Sequence, residues 1–228
     1  LQNISKNKNL FDFKTLSWRS KTNNNSVLQS LREAFSQAKG RIRIMTPYLV
    51  LSKRDLRLIE RNLLLNPNLE LELYTNSIKS TNHVSSQLVL EVGILPRIKK
   101  LMENPLIGSR LKVWMYFPKR SADPDPLQLE NTLHTKLVEI DGNYLIMSSN
   151  LDLISRFSNS ETGFWLKPDS PIEDLQNYFS QVEKHSIQFG SPEWQQSEIN
   201  PLNQSWVSLK HYLTGFIQKF HISILKIF

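Results

Sequence analysis

Apolar residues along the chain alternate between two spacings. Val27, Leu31, Phe35 and Ala38 recur every three or four positions before Gly40, which predicts an amphipathic helix closed by glycine. Ser26 and Gln29 have the S-x-x-Q spacing of a capping box at its start. "RIRIMTP" then alternates residue by residue up to Pro47, the pattern of a strand. A second helix is predicted over residues 52–65, halted by Asn66-Pro67. "LELELYT" gives the next strand, residues 84–102 the next helical stretch, and "RLKVWMYF" a third strand. Helix and strand thus alternate, which predicts an α/β protein with a mixed β-sheet flanked by helices.

Beyond that run the texture changes. Residues 119–131 carry two Asp-Pro steps, which exclude helix and strand interior and predict a loop. Lying just before His134, that loop is either a gate to a pocket or a plain connection. Asp141-Gly142-Asn143 predicts a tight hairpin turn between "HTKLVEI" and "YLIM". "TGFWL" follows as the last core strand, and Ser170-Pro171 with Glu173 and Asp174 marks a helix start. The first 25 residues are polar and irregular and read as a lead-in linker; residues 26–190 form the domain; residues 191–228 form an extension. In that extension Leu209, Leu213, Phe216, Phe220, Ile224 and Ile227 share a helical face, with Lys210, Lys219 and Lys226 added and no acid from 205 onward. A helix packed on protein and a helix lying on a membrane surface both fit; the lysines argue against a spanning helix.

Composition narrows the classes. The 228 residues suffice for one sizeable core. With 28 basic against 21 acidic residues the net charge is +7, which points to anionic partners, phospholipid surface or nucleic acid. The absence of cysteine excludes disulfides and thiolate metal sites. The five histidines have no paired-ligand spacing, so no metal and no cofactor is expected.

The candidate chemistry sits in "HTKLVEID". On a strand, His134 and Lys136 emerge on one face. An imidazole beside a fixed ammonium suits reaction at a phosphate, the nitrogen attacking or moving a proton while the charge neutralises non-bridging oxygens. Ser148, Ser149 and Asn150 offer neutral hydrogen bonds to the same oxygens, and Glu161 is placed to hold the far nitrogen of a histidine.

This H-x-K-x4-D run, followed by Ser-Ser-Asn and by Glu161 eleven residues after Asn150, resembles the signature of the phospholipase D superfamily. "NLD", Ser155 and Asn159 add to the likeness, and "RIMTPYLV" and "LELYTNS" resemble strand ends of its cardiolipin synthase-like branch. The likeness covers most of the chain. It departs in three ways: Asp141 to Asn150 is one residue short; the glycine before the serines is absent, either replaced by Met147 or deleted between Met147 and Ser148; and Ile154 and Asn82 replace a common arginine and aspartate.

The resemblance implies one lobe of a phosphodiesterase or phosphatidyltransferase that acts on phospholipid through a phosphohistidine, with a membrane-peripheral location. It implies His134 as nucleophile or acid/base, Lys136 and Asn150 as phosphate ligands with Ser148 or Ser149 assisting, and Glu161 orienting His134. Asp141 is expected to pin the hairpin rather than touch substrate. No other histidine is followed by lysine at i+2, and one imidazole cannot serve both sides of an in-line displacement. A second half-site is therefore expected, from a tandem N-terminal domain or an identical chain. A metal-independent nuclease of the same superfamily and a catalytically silent lobe supporting an active partner are the alternatives.

Overall fold

The computed structural model describes residues 14–18, 26–81, 86–87, 89–118, 132–151 and 161–200, with backbone alone for 14–18 and Ser26. The loop 119–131, Asn82, Ile154, Ser155, Asn159 and the amphipathic tail lie outside these residues. In chain order the elements are β1 (Lys14–Trp18), α1 (Ser26–Gln37), β2 (Arg41–Met45), α2 (Lys53–Leu65), β3 (Glu70–Asn76), a π-helical stretch (Val89–Ile94) that runs into α3 (Leu95–Met102), β4 (Leu111–Tyr116), β5 (Leu137–Ile140), β6 (Asn143–Met147), β7 (Glu161–Leu166), α4 (Glu173–Lys184), β8 (Ser186–Gln188) and α5 (Pro192–Gln196).

The eight strands form one mixed sheet in the order β1-β7-β6-β5-β2-β3-β4-β8. Only β2, β3 and β4 run parallel, joined by the predicted helical crossovers; every other pairing is antiparallel. Ile42, Ile44, Leu71, Leu73, Val113 and Val138 face the larger core, covered by the first three helices. Met45, Tyr74, Tyr116, Leu137 and Tyr144 face the other way, onto Phe179 and Val182 of α4. The sheet is therefore buried between helices on both faces.

Local signals explain most boundaries. Ser52 caps α2 by accepting from the Asp55 backbone while Asp55 accepts from Ser52, a reciprocal capping box. At α1 the side chain of Ser26 lies outside the described residues, and the Gln29 amide donates to Glu33 one turn on. Asp141 and Gly142 both have positive φ, 48° and 82°, and Ile140 pairs with Asn143, the two-residue hairpin that Asp-Gly encodes.

The lead-in expected to be irregular contains a strand. Residues Lys14–Trp18 pair with Glu161 to Trp165 of β7, an edge that would otherwise present unpaired backbone groups. At the other end Ile199 is fully buried in the larger core, and Phe189 and Trp194 pack edge to face at 4.8 Å. The folded unit thus runs through Asn200, past the boundary read at 190. The helix expected from Ser170-Pro171 starts two residues later, at Glu173. No helix among the described residues is long and apolar enough to cross a membrane.

Candidate active site

Strand direction gathers the candidate residues at one edge of the sheet. There β2, β3, β4 and β6 end while β5 and β7 begin. The edge collects Thr46–Pro47, Asn76–Ser77, His134–Lys136, Ser148–Asn150 and Glu161, and it is the end at which open α/β sheets place ligands.

His134 and Lys136 precede β5 rather than lying within it, since β5 begins at Leu137. The expected alternation still holds. The Thr135 hydroxyl turns to the α4 side, where it meets the Tyr178 hydroxyl at 2.5 Å, and the two flanking side chains come together. Lys136 Nζ lies 3.2 Å from His134 Nδ1 and donates to the His134 carbonyl at 2.8 Å. A charged ammonium has only hydrogens to offer, so Nδ1 accepts and a neutral ring carries its proton on Nε2. His134 is solvent-exposed.

Glu161 is not on His134. Its buried carboxylate accepts from Ser148 Oγ at 2.5 Å, and Ser148 Oγ in turn accepts the Thr162 backbone N–H at 3.0 Å. The orienting contact expected from the sequence is thus made to the serine. Both serine hydroxyl protons are already committed, since Ser149 is fully buried and donates to the Asn150 carbonyl at 3.1 Å. Asn150, half-buried, follows them at the same edge.

The "TPY" loop holds the Ser-Ser-Asn segment in place. Val50 N–H donates to the Leu151 carbonyl at 2.7 Å, and Leu151 N–H reaches Thr46 Oγ1 at 3.3 Å. Asn76, at the end of β3, ties that loop to the residue before His134 by hydrogen bonds to Pro47 and Leu133. Sequence reasoning gave Asn76 no role of its own; its place in the strand end "LELYTNS" was the available signal.

Asp141 lies at the opposite end of β5. Its carboxylate accepts the backbone N–H groups of Lys39, Gly40 and Arg41 at 2.8–2.9 Å. Burial works to raise its pKa, but these three donors hold it below the ordinary aspartate value. The residue that closes the H-x-K-x4-D pattern thus fastens the hairpin to the start of β2. A cavity of about 450 Å³, lined by Glu33, Gln37, Asp141, Asn143, Trp165 and Lys167, is at this end too and does not include His134. Among the described residues no three His, Asp or Glu side chains gather as metal ligands.

No protein-family model and no curated protein sequence matches the chain. Among solved structures the fold is similar to phosphatidylserine synthase of Haemophilus influenzae Rd KW20, with a TM-score of 0.63 and 18% identity over 89% of this chain. It is also similar to Nuc, a phospholipase D family member from Salmonella typhimurium (TM-score 0.52, 15% identity, 79% of this chain and 99% of that one). NucT from Helicobacter pylori matches at a TM-score of 0.54 and 14% identity, over 78% of this chain and all of that one (100%). At these identities the likeness is one of fold. The chain spans 47% of the phosphatidylserine synthase, about half its length.

Proposed function

We propose that the chain is a phospholipase D-like lobe that supplies one of two half-sites of a phosphodiesterase or phosphatidyltransferase acting on phospholipid. The carrying observation is the His134–Lys136 pair, 3.2 Å apart at the sheet edge where the parallel strands end. A phosphodiester there would meet the Lys136 ammonium and the Asn150 amide, which offset charge on the non-bridging oxygens. With its proton on Nε2, as a hydrogen bond from Lys136 to Nδ1 requires, His134 is equipped to act as general acid, donating to the departing alkoxide as the P–O bond breaks. The second half-site's histidine would attack phosphorus from the other side and carry the phosphoryl group until water or an acceptor alcohol displaces it.

This reading also accounts for the exposure of His134. A reacting imidazole on an isolated lobe stays open when the opposite wall belongs to another domain or chain. Glu161 then acts at one remove, fixing Ser148 and through it the strand end that leads to Asn150.

The direct experiment is head-group release or transfer from phosphatidylglycerol vesicles by the full-length protein, with His134→Ala measured beside it. The expected result is loss of at least about 100-fold in kcat, the scale of one general acid. Undiminished turnover in the variant removes His134 from the reaction. Phosphate trapped on His134 itself would reassign it from acid to nucleophile.

The +7 net charge favours a second reading, a metal-independent nuclease built on the same half-site. It expects cleavage of DNA or RNA in chelator and binding that weakens steeply with salt.

A further inference from the structure

The side chain of Asn76 is fully buried, and its amide does more than fill space. Leu133 N–H donates to Asn76 Oδ1 at 2.9 Å, and Asn76 Nδ2 donates back to the Leu133 carbonyl at 2.9 Å. The amide thus pairs with the backbone of Leu133 as a neighbouring strand would. Its second Nδ2 hydrogen goes to the Pro47 carbonyl at 3.2 Å. Ser80 Oγ lies 3.2 Å from Oδ1, but its one proton has a shorter acceptor in the Tyr116 carbonyl at 2.7 Å, so both donors and one acceptor position of the carboxamide are filled. On the other side of His134, the Thr135 hydroxyl meets Tyr178 of α4 at 2.5 Å.

We infer that Asn76 and Tyr178 are positioning residues that clamp the backbone on both sides of His134 and fix its distance from Asn150. The inference rests on the reading of His134 as the reacting side chain. Leu133 and Thr135 flank His134, so holding both leaves its Cα little freedom although no strand hydrogen bonds reach it. The bond to Pro47 sets the register, because the 46–50 loop also carries Leu151, the residue after Asn150. One amide therefore connects the segment that presents the imidazole to the segment that presents the phosphate ligand. Aspartate has the same shape but no N–H, and would lose both donated bonds while placing a charge among carbonyl oxygens.

The test compares Asn76→Asp, Tyr178→Phe, His134→Ala and Arg110→Ala in the full-length protein, with bis(4-nitrophenyl) phosphate as substrate. Arg110 is the structural control: it bonds the carbonyls of Leu63, Asn66 and Leu69 at 2.7–3.0 Å, at the far end of the sheet. For Asn76→Asp we expect kcat per folded molecule to fall by about 100-fold with KM nearly unchanged, the effect of misplacing a reacting group by roughly 1 Å. Arg110→Ala should lower the melting temperature and leave kcat per folded molecule alone. Wild-type kcat in Asn76→Asp beside an inactive His134→Ala overturns the clamp and spares the site. Full turnover in His134→Ala overturns the site reading, and the clamp's catalytic role with it. Should Asn76→Asp not fold, Tyr178→Phe, which removes one hydroxyl, decides: a fall in kcat at constant KM supports the clamp, and wild-type kinetics overturn it.

Discussion

Three backbone N–H groups converge on the Asp141 carboxylate, and Asp141 itself sits in the left-handed region at φ 48°. Alanine would lose the three bonds and tolerate that φ poorly, so Asp141→Ala should cost about 2 kcal/mol, one part from the lost cap and one from the backbone. Urea unfolding at neutral pH measures this. The contribution has a definite pH direction. A carboxyl held below its ordinary value stabilises the fold above the usual aspartate range, and that stabilisation is lost as pH falls through the lowered folded value. Asp141→Asn should therefore be weaker than wild type at pH 7 and converge with it only once the pH has fallen below that lowered value, while kcat per folded molecule at pH 7 is unchanged. A loss of turnover at constant stability would place Asp141 in the chemistry after all.

At the scale of elements, the π-helical stretch before α3 buries Glu91. Burial pushes its carboxyl up to about 7, against a smaller opposing effect from the Gln87 amide that donates to it at 3.0 Å. Here the sign is reversed. The folded state keeps a proton that the unfolded chain releases near 4.5, so the stability is fully present at low pH and is lost as pH rises from there through about 7. Glu91→Gln should melt close to wild type at pH 5 and above it at pH 8; equal melting temperatures at both pH values would show that Glu91 stays ionised throughout.

The strands β2, β3 and β4 were legible because their alternation is unbroken, and the hairpin because Asp-Gly admits positive φ at both positions. The strand β1 was not: "KTLSW" has no clear period and is recruited by the open edge of β7. Nor was the inward turn of Arg43. Alternation assigns it to a polar face, yet it lies buried under α4, over the Phe179 ring at 3.9 Å and paired with Glu139. A period of two separates the faces of a strand without saying what covers them. The His134–Lys136 pairing followed from spacing alone. The role of Asn76 did not, because its partner lies 57 positions away.

For the whole molecule the open question of chemistry is also one of stoichiometry. The chain covers about half of a phosphatidylserine synthase and nearly all of Nuc; under the proposed reading, the second half-site would come from a tandem domain or a second copy. Mixing wild-type and His134→Ala chains separates them. Twofold-paired chains give turnover that follows the square of the wild-type fraction, whereas two half-sites on one polypeptide give a straight line. A 228-residue lobe whose specific turnover is unaffected by dilution would overturn the half-site reading itself. The arrangement along β5 has a wider bearing. His134 and Asp141 stand at opposite ends of that strand, on the order of 20 Å apart along an extended chain. A search pattern demanding both letters therefore screens for two separate things at once, the proposed reacting group at one tip and a well-tied bend at the other. Sequences that swap the acid for a different fastener will be missed although competent, and sequences that retain it after losing the imidazole will still fold.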